Sequence, residues 1–359
     1  MTAATARPGL IDGTQSGYAV LHEFPAPEKE LAWRDCLDRV ECPAHYNAPE
    51  YFRETSLACE RRFAVLAVQQ GRVAGVLTGG YEGTHATCGY TSRPQVCVDE
   101  TLDQAERDEA VASLARGLLS EARGAELVSM YSWQPLAVLE TQGFRCRTVE
   151  GTVILDLTQG PGELFRELNK KRRNCIRAAQ RNTDMEIVEP TGQKDIDAFY
   201  SVYSAWHSGS RKKIDGDKLP AELFHQRFQL TDNFRIFLAR LSGQVIAGIT
   251  LRFFPGGLVE YANNSSLEQH LWLRPNDLLL WRAIEWACAA GFERFSLGGA
   301  HRFLREFGGS LTPIYRYRLD RTLGRRHDLR EQIVDRGRGA LRTMPKPVEK
   351  AVRRILGKA

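Results

Sequence analysis

The sequence has no apolar run near the roughly 20 residues a membrane-crossing helix needs; its runs, such as Leu278–Trp281, are far shorter. Its first twenty residues hold Pro8, Gly9, Asp12 and Gly13 and no apolar stretch of the secretory kind, so a cytoplasmic location is expected. The eight cysteines (36, 42, 59, 88, 97, 146, 175 and 288) are scattered, without CxxC or a Cys/His cluster at zinc spacing. Reduced, mostly buried thiols and no metal are therefore expected. His301 and the other histidines lack an HExxH-type partner. No Ser/His/Asp arrangement points to a covalent acyl-enzyme. RRM, KH and zinc-finger signatures are absent as well. What is present is 359 residues, 43% hydrophobic and 26% charged. That balance excludes disorder, collagen and coiled coil, and the length suits two domains.

The net charge of +5 is unevenly distributed. Residues 321–359 hold 12 Lys/Arg against 4 Asp/Glu, and residues 166–181 hold 7 against one. These segments carry +8 and +6, so the rest of the chain carries −9. An acidic body thus bears two basic segments, either solvated helix faces or sites for phosphate-rich partners.

Residues 63–75 and 236–248 each read as a strand, a short turn with glycine (Gly71, Gly243), and a second strand opening on Ala-Gly. Both are β-hairpin signatures, about 172 residues apart. Each is followed by a helical segment ending at a glycine, Gly124 or Gly291, and then by a strand. Both glycines are expected as helix C-caps. Two tandem α/β units follow, with a boundary near residue 150, where Gly151 opens a β-rich run over Thr152–Leu157.

Glu163–Asn182 lacks Gly and Pro and predicts one helix. Leu164, Leu168, Cys175, Ile176 and Ala179 share one arc; Arg166, Lys170, Arg173, Arg177 and Arg181 share the opposite one. Like charges at this spacing repel, so the cationic stripe favours an anionic partner. Arg172 falls within the apolar arc. It either snorkels to water or points into a pocket as a phosphate or carboxylate fork.

Several stretches occur in a recognisable order: Lys-Lys-Arg-Arg-Asn-Cys-Ile-Arg-Ala-Ala (170–179), the second hairpin (237–248), Glu-Tyr-Ala-Asn-Asn-Ser (260–265), Pro-Asn-Asp-Leu-Leu-Leu-Trp (275–281) and Phe-Gly-Gly (307–309). Together they resemble the FemA/FemB-type (Fem-like) aminoacyltransferases of the GNAT acyltransferase superfamily, well over 150–325 and more weakly before that. The resemblance implies an α/β enzyme of two tandem GNAT-like domains, each a mixed sheet flanked by helices. The divisions expected are 1–150, 151–322 and a basic helical tail over 323–359. It also implies transfer of an aminoacyl group from aminoacyl-tRNA to an amine, the usual acceptor being a lysine-like amine on a peptidoglycan precursor, with small-molecule acceptors in some relatives; a lipid-linked or nucleotide-linked cell-wall precursor is the acceptor expected here. An acyl-CoA-dependent N-acyltransferase of the same fold, or an inactive module binding an anionic ligand, are the alternatives.

The local chemistry leans away from acyl-CoA. A CoA pyrophosphate is usually held by a glycine-rich turn at a helix N-terminus. Here Leu273–Leu278 contains no glycine, Pro275 donates no N–H, and Asp277 is expected to repel phosphate. Residues 99–107 are acidic and also lack glycine. No cofactor is expected beyond the donor itself, aminoacyl-tRNA or, alternatively, acyl-CoA.

An aminoacyl ester is already activated, so the enzyme needs to position an amine and stabilise an oxyanion. Tyr261 resembles a family tyrosine near the acceptor. Arg173 and Arg177 match basic positions of the family helix, and Arg172 is the pocket candidate. Tyr203 and Trp206, one turn apart, are candidates for the acceptor groove. Asn263 and Asn264 could donate amide N–H groups. The family lysine of a Phe-Lys-x-x-Phe-Gly pattern aligns with Leu304, so Arg302 or Arg305 is the expected substitute, Arg305 in particular. Past Asp320 a helix is expected, interrupted at Arg336-Gly-Arg-Gly. Val348–Leu356 then forms an amphipathic pattern that suits docking on the body, peripheral membrane contact or RNA.

Overall fold

The computed structural model describes residues 17–54, 61–209, 218–226 and 233–343. The first half runs β1 (Gly17–Leu21), α1 (Pro27–Leu37), β2 (Arg61–Gln69), β3 (Arg72–Glu82), β4 (His85–Tyr90), β5 (Arg93–Pro94), β6 (Val96–Val98), α2 (Gln104–Glu121), β7 (Leu127–Ser132) and α3 (Val138–Thr141). β8 (Arg145–Asp156) leads into α4 (Gly160–Glu167), α5 (Lys170–Gln180), β9 (Met185–Val188), α6 (Gln193–Gly209), α7 (Ala221–Gln226), β10 (Phe234–Leu241), β11 (Gln244–Phe253) and β12 (Leu258–Ser266). The chain closes with α8 (Pro275–Ala289), β13 (Arg294–Ser296), α9 (Arg302–Arg305), β14 (Ser310–Asp320) and α10 (Arg326–Thr343).

The repeat is real at the level of backbone angles. Both hairpins turn on two residues with positive φ, Gln70 and Gly71 in one, Ser242 and Gly243 in the other. That geometry matches strand twist in a two-residue turn. Each hairpin also slips register in the strand before the turn, at Ala67/Val68 and at Ala239/Arg240. Each half then forms one parallel pair, β4 with β7 and β12 with β13. Parallel neighbours need a crossover; α2 and α8 supply it in the two halves. Their apolar faces anchor separate cores, one around Leu114 and Leu118, the other around Leu279, Leu280 and Ile284.

The two half-sheets are fused into one mixed sheet of fourteen strands. β14, from the end of the second half, inserts between β7 and β8 and pairs antiparallel with both. Residue 150 therefore lies inside β8, which spans both halves without a linker. Gly151 sits where a Cβ would come within 2.2 Å of the Thr312 carbonyl on β14. Its glycine serves this close approach rather than a chain break.

Three local expectations need correction. The helix over 163–182 is two helices, because the Asn169 side chain accepts from Lys171 N–H at 2.9 Å and caps a new start. Gly291 is left-handed (φ 79°) and ends α8 as expected, but Gly124 is absent from the positive-φ glycines and the chain leaves α2 through a turn at Ala122. α10 runs unbroken through Arg336–Gly339, since glycine weakens a helix without terminating it. Val348–Leu356 lies outside the described residues, as does Cys59. Cys36, Cys88 and Cys97 are buried free thiols, and burial pushes Cys36 up to about 12. Among the described residues no helix is long and apolar enough to cross a membrane, and no group of three or more His, Cys, Asp or Glu could hold a metal.

Candidate functional site

The break between α4 and α5 turns Arg172 inward. Its guanidinium is buried and pairs with Asp277, in the first turn of α8, and with Glu306, just after α9. The Phe303 ring lies 4.3 Å from the guanidinium carbon. Burial alone would lower the Arg172 pKa, but the two carboxylates outweigh it and raise it. Burial likewise opposes ionisation of Glu306, yet Arg172 holds its carboxyl below the usual range. Arg172 is thus a fork, as one reading of the sequence has it, but its tines grip carboxylates of its own chain. The same contact offsets part of the Asp277 charge and so reduces the expected repulsion of phosphate. Pro275 and the missing glycines remain as departures from a pyrophosphate cradle.

Around this fork lies a cavity of about 430 Å³ lined by Lys171, Arg172, Arg274, Asn276, Asp277, Arg302, Phe303 and Glu306. Four cations face two carboxylates. Arg274 takes a left-handed conformation (φ 62°) just before α8, and no side chain among the described residues caps that helix. The first turn of α8, the positive end of its dipole, thus lines the same cavity as these cations. Trp272, 73% exposed, stands beside the rim residue Leu271.

The corresponding place in the first half has the opposite character. α2 is closed by a capping box: Glu106 N–H donates to Asp103 at 2.9 Å, and Asp103 N–H donates to Glu106 at 3.1 Å. A carboxylate already fills the position an anion would take. The neighbouring cavity, about 630 Å³ between the two halves, is lined by Glu41, Glu100, Asp108, Asp156 and Glu293 against Arg107 and Arg294. Asn47, Trp133 and Leu258 are among its other lining residues. One repeat position is thus cationic and uncapped; the other is acidic and capped.

A buried polar junction lies between the halves. Arg93 Nε donates to Glu260 Oε1 at 2.6 Å. Glu54 Oε2 meets His45 Nε2 at 2.9 Å and accepts from Arg252 Nε at 3.0 Å. Tyr46 is buried beside them, and burial, reinforced by Glu260, pushes its phenol well up. Tyr46 Oη has no hydrogen-bond partner among the described residues. These residues, apart from the neighbours of Tyr261, carry no sequence motif. Only folding brings positions 45–54, 93, 252 and 260 together.

The other sequence candidates scatter. Tyr261 is half-buried on β12 against the second core, and burial pushes its phenol upward. A Cβ at Gly298 would stand 2.4 Å from its carbonyl oxygen. Asn263 and Asn264 pair with Thr250 and Ile249 within the sheet. Tyr203 is a core residue: its Oη accepts from Leu219 N–H at 2.9 Å and its ring stacks on Phe224. Trp206 packs against the same cluster. Arg173 donates to the carbonyls of Arg166 and Leu168, closing the end of α4. Arg177 lies 5.4 Å from the Phe165 ring, and Arg166 pairs with Glu163. The expected continuous stripe is therefore divided. Arg305 donates to the Ala300 carbonyl and, at 2.8 Å, to Glu150, and lies outside both cavities. Its neighbour Arg302 lines the cationic one. Leu304 is core.

The fold defined by these elements is the tandem GNAT fold. It is shared with the crystal structure of FemX, at a TM-score of 0.63 and 13% identity, covering 85% of this chain and 97% of that one. The C-terminal domain of a protein assigned as lysylphosphatidylglycerol synthetase from Agrobacterium fabrum superposes at 0.56 and 15% identity, covering 86% and 96%. A tandem GNAT protein from the clavulanic acid biosynthesis pathway does so at 0.54 and 12% identity, covering 86% and 99%. Identities this low establish the fold alone. Independently, residues 166–307 match the family model described as an acetyltransferase (GNAT) domain. No curated protein matches the sequence. The domain match and the acyltransferase fold support a transferase.

Proposed function

We propose that this protein is a Fem-like, aminoacyl-tRNA-dependent aminoacyltransferase that forms an amide bond on an amine of a peptidoglycan precursor or related small-molecule acceptor. The observation that carries the reading is the contrast between the two repeat positions. The α8 terminus, with the exposed Lys171, Arg274 and Arg302 around it, suits the phosphates of a nucleic-acid donor. The acidic cavity between the halves suits an amine-bearing acceptor. A structural relative named for a lysylphosphatidylglycerol product fits aminoacyl transfer of this kind.

In the reaction the neutral amine attacks the ester carbonyl. The C–N bond forms, the C–O bond to the ribose breaks, and the departing hydroxyl takes up the amine's proton. The protein's part is to hold the reactants and to stabilise the tetrahedral oxyanion. Arg302 lines the cationic cavity, and Tyr261 and Asn263 on β12, which line neither cavity, are assigned to this step from the family resemblance. A cytoplasmic location belongs to this reading.

A second reading, an acyl-CoA-dependent N-acyltransferase, is favoured by the ion pair of Asp277 with Arg172, which weakens its repulsion of phosphate. Purified protein incubated with charged tRNA pools or with acyl-CoAs, plus amine acceptors, separates the two through donor deacylation. Turnover of CoA thioesters alone overturns the tRNA reading.

A further inference from the structure

α10 turns its acids inward. Glu331 pairs with Arg316 at 2.7 Å, Arg318 at 2.6 Å and Arg147 at 3.1 Å; Asp335 pairs with Arg147 at 2.6 Å, and Asp328 with Arg318 at 3.8 Å. These three acids, spaced i, i+3, i+7, make one helix face and bind it to β8 and β14.

The opposite face carries no acid. It presents Leu329 (54% exposed), Ile333 (62%) and Val334, with Arg330 and Arg336 exposed beside them. Leu329 and Ile333 stand one turn apart, and Leu323, just before the helix, is 94% exposed. An ordinary solvated face mixes both signs and few large apolar groups. Residues 338–359 add seven Lys/Arg and one Glu. The chain outside 166–181 and 321–359 is acidic, at −9, so an anionic surface would repel the body and attract this end.

We propose that the outer face of α10 docks on a bilayer containing anionic lipid, with Leu329 and Ile333 in the headgroup boundary and Arg330 and Arg336 at lipid phosphates. Apolar side chains add to binding on a bilayer, whereas phosphates of a nucleic acid give them nothing to bury in. The pairing of every α10 acid with the body fixes the orientation of that face.

The test is co-sedimentation of the full chain with phosphatidylcholine vesicles and with vesicles that also contain phosphatidylglycerol. Binding is expected only to the anionic vesicles and is expected to weaken with salt. Leu329→Glu with Ile333→Glu should reduce binding by roughly tenfold or more, with an unchanged thermal midpoint. Arg330→Gln with Arg336→Gln, which leaves the apolar face intact, should reduce it as well and serves if the first pair fails to fold. No binding to anionic vesicles overturns the proposal. So does binding that neither pair alters, retention by RNA in place of vesicles, or a concentration-dependent dimer that Leu329→Glu abolishes. None of these outcomes depends on which donor the enzyme uses.

Discussion

Arg93 Nε donates to Glu260 Oε1 at 2.6 Å, joining residues 167 positions apart and the two halves of the molecule. Glu260 is only 2% exposed and directly precedes Tyr261 on β12. Arg93→Ala would leave a buried carboxylate without its strongest partner. A loss of about 3 kcal/mol is expected, at the low end for breaking a buried pair. Denaturant unfolding measures it, and adding Glu260→Gln should recover part of the loss. Full additivity of the two changes would mean the pair is not coupled.

The cationic cavity predicts a division between binding and folding. Lys171→Ala and Arg274→Ala remove exposed charges that make no salt bridge among the described residues. Each should raise the donor KM by roughly fivefold and leave kcat and the unfolding midpoint near their starting values. Arg172→Ala strands Asp277 and leaves Glu306 with Arg302 alone, and should lower stability and activity together. A KM unaffected by either exposed change would remove the cavity from donor binding.

Tyr203 is the acceptor candidate that the structure makes part of the α6–α7 packing. Tyr203→Phe deletes the oxygen that accepts from Leu219 N–H and should cost about 1 kcal/mol. Steady-state KM values for both substrates should not move. A selective rise in the acceptor KM would return Tyr203 to the site.

Gly151 tests how the half-sheets are fused. Gly151→Ala places a methyl against the Thr312 carbonyl and Ile314 Cγ1 and should destabilise by about 1–3 kcal/mol. Hydrogen exchange should rise first along β8 and β14. Stability equal to that of the parent would show that β14 can shift at no cost.

Acidification should weaken the first half through His85. Burial, with Arg318, His327 and Arg316 and against Glu82, lowers His85 from 6.5 to about 4. The folded state keeps it neutral while the unfolded state binds a proton, so its contribution is complete above 6.5 and declines as pH falls towards 4. Asp320 works lower. Despite burial, Thr322 and the Asp328 N–H hold it down to about 2, so its contribution is complete above the unfolded 3.8 and lost as pH falls towards 2. Thermal midpoints of His85→Gln should fall less than the parent's between pH 6.5 and 4. Parallel profiles would reject the assignment.

Local physics made much of the fold legible. Hairpins at 63–75 and 236–248 are written in turn glycines, and the helices α2 and α8 in apolar periodicity and flanking strands, because these signals act over a few residues. The basic character of 166–181 and 321–359 is also a property of sequence alone. The continuity of the stripe was not, since Asn169 ends one helix and starts another, and Arg173 serves the carbonyls so exposed.

Tertiary structure alone decided that β14 would insert between β7 and β8, that Arg172 would spend its charge on Asp277 and Glu306, and that Arg302 rather than Arg305 would line the cavity. It also decided which face of α10 keeps its acids. The reason is common to all four. A sequence specifies which charges and apolar groups exist and how they repeat along the chain. Their partners lie a hundred or more residues away for Arg172 with Asp277 and Glu306, and for Arg305 with Glu150. Burial and ion pairing depend on distances that only the closed sheet establishes.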